Sequence, residues 1–309
     1  MPIDEATAGF LGQLAQAGPP IHQLSAADAR LATGALKAFY GPGPEMAEVR
    51  DVKVEVDGGQ ALARVLRPAG APKGIFVYVH GGGWVIGSAE EYDTLARTLA
   101  ARTGMTTVLV EYRKAPEHPF PIPVQDTWAV LAWVDAHREE LAPAGAPLVV
   151  GGDSAGGNLT AVMTQRARAA GGPKIDLQVL IYPAVGTDLD APGYTLPENQ
   201  LMLDRAAMVW FWDHYAPDPA MRTHLDAAPG LADDLSGLPP AIVLTAEFDV
   251  LRDEGEDYAR RLSEAGIPVW HKRFEGQMHG FFQLVNLLPG SAAGIDYVVA
   301  GIEESLGGA

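Results

Sequence analysis

The sequence contains no cysteine among its 309 residues. A chain without thiols can form no disulfide, no cysteine nucleophile, no iron–sulfur cluster and no thiolate zinc site. Basic residues are also scarce, because 22 lysines and arginines stand against 39 aspartates and glutamates, a formal net charge of −17 at pH 7. Such a surplus of negative charge repels phosphate groups, so nucleic-acid partners are not expected.

Long hydrophobic runs are missing as well. No stretch of about 18 apolar residues occurs, so no membrane partner is expected. Asp4 and Glu5 stand where a signal peptide needs cations, and we expect a cytoplasmic location. With 48% hydrophobic and 20% charged residues, the composition is that of a globular protein with one catalytic core.

Short apolar runs alternate with helix-length amphipathic segments along most of the chain. The runs at 75–79, 106–110, 148–151, 177–181, 241–246 and 269–274 are almost wholly apolar, which is typical of buried parallel strands. A hairpin is predicted from 49–56 and 61–66, and helices near 89–103, 124–139, 155–170, 252–265 and 292–306. This order predicts an α/β fold with a mostly parallel eight-stranded sheet flanked by helices.

Two regions break the alternation. Residues 1–45 lack strand signals and predict one or two helices, with Ser25 and Asp28 in the spacing of a capping box. Residues 187–225 carry several aromatic side chains and look like a helical insert. The remaining ranges, 46–186 and 226–309, are predicted to form the core.

Ser154 lies in the pentapeptide Gly-Asp-Ser-Ala-Gly of residues 152–156, directly after an apolar strand and before a helix. A nucleophilic serine needs such a sharp strand-to-helix turn, which lifts its hydroxyl above the sheet. Glycines allow the backbone to approach closely there, and the helix N-terminus favours a developing anion. The alternative is a glycine-rich turn with an incidental serine.

The segment His80-Gly81-Gly82-Gly83-Trp84 follows another predicted strand. Glycine N–H groups are unscreened by side chains, so this loop and the N–H of Ala155 could bind one oxyanion. A phosphate-binding loop is the alternative, but no Gly-Lys-Ser/Thr follows and Ile86 stands where a dinucleotide fingerprint needs glycine. His80 is interpreted as a structural hydrogen-bonding residue.

A serine nucleophile in this fold needs an acid and then a histidine later in the chain. His279 lies just past the carboxyl end of the last predicted strand, the edge where catalytic groups gather, whereas His271 lies inside that strand. Asp249 is the first aspartate after the preceding strand. Asp253 is the second choice for the acid, with a helix N-terminal charge as its structural explanation, and Glu247 comes a turn too early.

These motifs resemble the hormone-sensitive-lipase-like family of α/β-hydrolases, the bacterial family IV carboxylesterases. The resemblance runs along most of the chain from about residue 75 and includes residues 80–84, Tyr-Arg-Lys-Ala-Pro-Glu-His-Pro-Phe-Pro at 112–121, 152–157, Tyr182-Pro183, 249–255 and His279-Gly280-Phe281. One departure is Val250, where the family commonly has proline.

The resemblance implies Ser154 as nucleophile, Asp249 as acid, His279 as base, and Gly82, Gly83 and Ala155 as oxyanion donors. It also implies a helical cap made from 1–45 and 187–225. Trp84 is expected near the reacting carbonyl because it follows the oxyanion glycines. Four other residues are expected to line the substrate pocket: Phe39, Tyr40, Met202 and Trp210.

The predicted function is therefore hydrolysis of short- to medium-chain carboxylic esters without cofactor or metal. A non-catalytic small-molecule receptor on the same scaffold, like the plant gibberellin receptor that resembles this family, is an alternative from another class. Amide or peptide hydrolysis is a third. The resemblance to the family also implies a candidate homodimer, in which two chains pair through an edge strand.

Overall fold

The computed structural model describes residues 2–16 and 18–307, and its centre is one eight-stranded sheet. The strands, in chain order β1 to β8, are Glu48–Val56, Gly59–Arg67, Ile75–Val79, Thr106–Glu111, Leu148–Asp153, Leu177–Ile181, Ala241–Phe248 and Val269–Met278. They lie in the order β1-β2-β4-β3-β5-β6-β7-β8. Strand β2 pairs antiparallel with β1 and β4, and all other pairs are parallel. The predicted fold class is confirmed.

Helices cover both faces of this sheet. They are α1 to α11, at Glu5–Leu14, Ala26–Gly34, Lys37–Tyr40, Asp93–Thr103, Ile122–Ala136, Arg138–Leu141, Ala155–Ala170, Pro192–Thr195, Arg205–Tyr215, Arg252–Glu264 and Pro289–Leu306. Every residue of the central strands β3, β5 and β6 is buried, which explains why these strands are nearly all apolar. Strand β1 alternates between less and more exposed positions, as expected for an edge strand with one face toward water.

Strand β8 is longer than its apolar run predicts. The sequence Glu275-Gly276 resembles a turn, yet pairing with β7 continues to Phe248 and Met278 after a register shift. Gly276 has φ +73°, and its N–H donates to the Glu247 carboxylate over 2.6 Å. A bulge at this glycine therefore extends the strand and delivers its end directly to residue 279.

The N-terminal segment is helical, and Ser25 caps α2 by accepting the N–H of Asp28 over 3.1 Å. Arg30 ties this helix to the loop after β3, because its guanidinium donates to the Val85 carbonyl over 2.8 Å and to the Ala115 carbonyl over 2.7 Å. The insert is fastened from the other side, where Tyr194 donates to Glu254 over 2.9 Å. Both segments lie over the edge of the sheet where the parallel strands end.

Within residues 2–16 and 18–307, no helix is both long enough and apolar enough to cross a membrane.

Candidate active site

Ser154 occupies a strained turn between β5 and α7. Its φ of +55° and ψ of −118° are rare for a residue with a side chain, and they direct the chain from strand into helix. The turn depends on its neighbours, since a Cβ at Gly152 would lie 2.4 Å from the Val79 carbonyl oxygen and one at Gly156 only 2.0 Å from it. The glycines of the pentapeptide are therefore required by close packing against β3.

Asp249, His279 and Ser154 form a continuous hydrogen-bonded chain. His279 Nδ1 lies 2.8 Å from Asp249 Oδ2, and His279 Nε2 lies 2.9 Å from Ser154 Oγ. All three are buried, with exposed fractions of 9% for Ser154, 8% for His279 and 0% for Asp249. When Nδ1–H donates to the carboxylate, Nε2 keeps the lone pair that accepts the serine hydroxyl proton. The structure thus brings the three predicted residues together.

The Asp249 carboxylate is held in place by its own turn. Its Oδ1 accepts the N–H of Leu251 over 2.9 Å, and its carbonyl accepts the N–H of Arg252 over 3.2 Å. Val250 is buried in this turn. The turn is closed without the proline that is common in the family.

The other candidate bases and acids lie elsewhere. His271 Nε2 lies 3.2 Å from the Thr245 hydroxyl, which is also hydrogen-bonded to Glu256 of α10, and not from Ser154 or Asp249. Asp253 is 48% exposed and pairs with Arg252 over 2.8 Å, which fits its structural explanation. Glu247 accepts the N–H of Gly276 and so serves the bulge in β8.

The glycine loop lies directly beside Ser154. Gly82 and Gly83 have φ values of +104° and +55°, and both line the same pocket as Ser154 and Ala155. Side chains cannot replace them, because a Cβ would lie 2.3 Å from the Ile86 carbonyl oxygen at Gly82 and 2.2 Å from the Phe211 ring at Gly83. Across the described ranges, no hydrogen bond uses the N–H of Gly82, Gly83 or Ala155. These donors are therefore free for a ligand oxygen.

His80 supports this loop from below. Its ring stacks on Tyr112 with centroids 4.4 Å apart, and its Nδ1 lies 2.7 Å from the Gly81 carbonyl. Burial lowers the pKa of His80 to about 4, so the ring is neutral at physiological pH. This placement agrees with a structural role.

Asp153 is a site residue that the motif analysis did not single out. Its buried carboxyl accepts the Tyr78 hydroxyl over 2.9 Å and the Gly81 N–H over 3.0 Å, and it lies 3.0 Å from the Tyr92 hydroxyl. Burial raises the pKa of Asp153 to about 6, although the tyrosine and amide donors oppose the rise. The Tyr92 hydroxyl also contacts Gln283, and its single proton cannot serve both acceptors. An acidic residue inside a buried strand, next to the nucleophile, was the available sequence signal.

A pocket of about 930 Å³ opens above Ser154 and His279. Its walls come mainly from the N-terminal helices and from the insert, including Leu36, Phe39, Tyr40, Met202, Met208 and Phe211. The predicted residues Phe39, Tyr40 and Met202 thus line the pocket. A cavity of this size, mostly apolar with few polar groups, is typical of a small-molecule site.

One predicted pocket aromatic differs from expectation, and another lines the pocket while its side chain is buried in the core. Trp210 is absent from the lining, because on α9 the pocket face carries Ala207, Met208 and Phe211, and the Trp210 ring packs against His214. Trp84 contributes atoms to the lining but is fully buried. Its indole stacks on Tyr215 with centroids 4.1 Å apart and belongs to the core.

In the part of the chain that the structure covers, no group of three or more histidine, aspartate or glutamate side chains is arranged to hold a metal ion.

The chain is similar to proteins that are named as esterases and to solved structures of esterases. Residues 76–283 match the α/β-hydrolase fold family. Carboxylesterase NlhH from Mycobacterium tuberculosis is 40% identical over 236 residues, which cover 75% of this chain and 74% of that protein. Ethyl acetate hydrolase from Pseudomonas putida is 31% identical over 324 aligned positions, covering 99% of this chain and 100% of that one.

Among solved structures, an ester hydrolase from the metagenome of Lake Arreo, in complex with a bipyridine phosphonate derivative, superposes with a TM-score of 0.93. It is 36% identical, and the match covers 99% of both chains. The family match, the relatives and the structural likeness show that this chain belongs to the hormone-sensitive-lipase-like family of α/β-hydrolases, a family of carboxylesterases.

Proposed function

We propose that this chain hydrolyses carboxylic esters through Ser154, His279 and Asp249, with a covalent acyl-enzyme intermediate. The observation that carries the proposal is the unbroken hydrogen-bonded chain from Asp249 through His279 to the Ser154 hydroxyl. The complete acid and base favour catalysis over a receptor that only binds its ligand.

In the first half of the reaction, His279 Nε2 takes the proton of Ser154 as Oγ attacks the ester carbonyl carbon. The oxyanion receives hydrogen bonds from the N–H groups of Gly82, Gly83 and Ala155, residues that line the pocket beside Ser154. When the tetrahedral intermediate collapses, the bond to the alcohol oxygen breaks and His279 gives its proton to that oxygen. Ser154 then carries the acyl group.

In the second half, water replaces the alcohol. His279 takes a proton from the water as it attacks the acyl carbon, and then returns a proton to Ser154 as the acid leaves. Asp249 keeps Nδ1 protonated and stabilises the imidazolium that forms in each half. The nucleophile and the proton transfers thus come from three side chains, and backbone N–H groups bind the oxyanion.

The proposed substrates have short or medium acyl chains. The pocket is covered by the N-terminal helices and the insert, which we propose to form a helical cap from 1–45 and 187–225 over the core of 46–186 and 226–309. A covered pocket of about 930 Å³ suits a compact ester better than an aggregated long-chain fat. The name of the relative from Pseudomonas putida, ethyl acetate hydrolase, also points to small esters.

The test is hydrolysis of a series of p-nitrophenyl esters with acyl chains of two to sixteen carbons. We expect kcat/KM to peak at short or middle lengths and to fall steeply for the longest chains. A peak at the longest acyl chain would contradict the proposed chain length, and hydrolysis of anilides without hydrolysis of esters would favour the amidase alternative.

A further proposal concerns the assembly of the enzyme. A homodimer is supported by the position of β8, which lies at one edge of the sheet.

A further inference from the structure

One wall of the pocket contains polar atoms without partners in an otherwise apolar surface. The wall is formed by Tyr40 at the end of α3 and by Glu91 just before α4, and we call these two residues the polar wall. Tyr40 is only 6% exposed. Among the described residues no group hydrogen-bonds its hydroxyl. Burial raises the pKa of Tyr40, and the nearby carboxylates of Glu91 and Asp153 raise it further.

Glu91 is half-buried, and among the described residues it has no cation partner. Lys37 and Lys114 are near enough to influence its pKa, but Lys37 pairs with Glu90 over 3.1 Å and Lys114 pairs with Glu111. Within residues 2–16 and 18–307 no salt bridge reaches Glu91, and burial raises its pKa. The carboxylate is thus partly desolvated without a compensating charge.

Local structure accounts for only one of the two carboxylate oxygens. The Ser88 hydroxyl donates to Oε1 over 3.0 Å and accepts the Glu91 N–H over 3.2 Å, in the manner of a capping box. Oε2 accepts no hydrogen bond within the described ranges. Tyr40 and Glu91 both line the pocket, and each carries an oxygen that no described residue hydrogen-bonds. A carboxylate and a phenol hydroxyl together can bind a group that both donates and accepts hydrogen bonds.

We infer that the polar wall of Tyr40 and Glu91 selects esters whose acyl or alcohol arm carries a hydroxyl group. This inference deepens the proposed function and rests on it. The hydroxyl would donate to Glu91 Oε2 and accept from Tyr40, which satisfies two groups that no described residue pairs. An apolar arm of the same size would leave both groups desolvated, so the discrimination comes from the cost of unpaired polar atoms.

The test compares isosteric ester pairs in which a terminal methyl is replaced by hydroxyl. Ethyl 6-hydroxyhexanoate against ethyl heptanoate probes the acyl arm, and 4-hydroxybutyl acetate against pentyl acetate probes the alcohol arm. The measured quantity is the ratio of kcat/KM within each pair. In the double variant Tyr40→Phe, Glu91→Gln we expect this ratio to fall about tenfold for the arm that reaches the wall, since two hydrogen bonds are lost.

Matched controls separate recognition from general damage. Glu90→Gln removes the adjacent carboxylate, which is 58% exposed and lies outside the pocket lining, and its ratio is expected to equal that of the wild type. Met202→Leu alters an apolar wall residue and is also expected to keep the ratio. If the double variant does not fold, Tyr40→Phe and Glu91→Gln are measured singly, each with an expected loss of about threefold.

Three results would overturn the inference. Ratios within twofold of the wild type in both arms would show that the polar wall does not read the substrate. An equal fall of the kcat/KM ratio in Glu90→Gln would assign the effect to surface charge. Ethyl 6-aminohexanoate is measured in parallel. If the double variant lowered the kcat/KM ratio only for this ester, the recognised group would be an ammonium group and not a hydroxyl. Failure of the proposed function is distinct, because the wild type would then hydrolyse none of these esters.

Discussion

Replacing Ser154 by alanine is expected to lower kcat for ester hydrolysis by about 10⁶-fold, with the fold intact. The variant keeps the oxyanion N–H groups and the pocket, but it has no oxygen that can attack the ester and accept the acyl group. Alanine is smaller than serine, so the expected cost to packing at this turn is small. The measurement is steady-state turnover of p-nitrophenyl butyrate, alongside circular dichroism and thermal unfolding of both proteins.

The control for this variant is Ser236→Ala, at an exposed serine remote from the pocket. Its turnover is expected to match that of the wild type. Retention of more than a few per cent of turnover by a folded, pure Ser154→Ala protein would assign the chemistry to another residue.

Asparagine at position 249 is expected to lower kcat by about 10⁴-fold while KM changes little. The amide keeps the shape of the carboxylate and can still accept the Leu251 N–H that holds the turn. It cannot stabilise the imidazolium, and an amide NH₂ facing Nδ1 favours the tautomer in which Nε2 carries the proton. The base then has no lone pair directed at Ser154.

The matched control is Asp253→Asn, four residues away. Asp253 was the second choice for the acid, and its side chain pairs with Arg252 at the start of α10. A loss of less than about threefold is expected, because one exposed ion pair contributes little to stability. A large loss in Asp253→Asn together with a small loss in Asp249→Asn would reverse the assignment of the acid.

The core strands were predictable because their residues are covered on both faces. A run such as 148–151 has no polar position to mark one side of the sheet, and the structure places it in the strand Leu148–Asp153, in the middle of the sheet. The end of β8 was not predictable in the same way. It depends on pairing with β7 across a bulge at Gly276, and that is a tertiary contact.

The catalytic candidates were readable for a topological reason. Parallel strands end at one edge, so residues that follow β5, β7 and β8 must meet there, whatever their separation in the chain. Ser154, Asp249 and His279 are such residues. The Gly82 and Gly83 loop follows β3, the neighbour of β5, and reaches the same edge.

The side chains that line the pocket were less predictable from the sequence than the catalytic residues. Whether Trp210 or Phe211 faces the substrate depends on how α9 is rotated on the core, and adjacent helix positions differ by about 100°. In the structure the Phe211 side chain faces the pocket, and its ring lies against Gly83. The roles of Asp153 and Glu91 depend on which partners packing provides or withholds, and sequence spacing carries little information about that.

The most direct test of Ser154 as the nucleophile is covalent labelling of the protein by a p-nitrophenyl alkylphosphonate, followed by intact-mass and peptide mass spectrometry. Ser154 Oγ should displace p-nitrophenolate from phosphorus, and we expect one adduct per chain, located on the peptide that contains Ser154 and absent from Ser154→Ala. An active protein that forms no adduct, or carries it on a different residue, would contradict the assignment of Ser154 as the nucleophile.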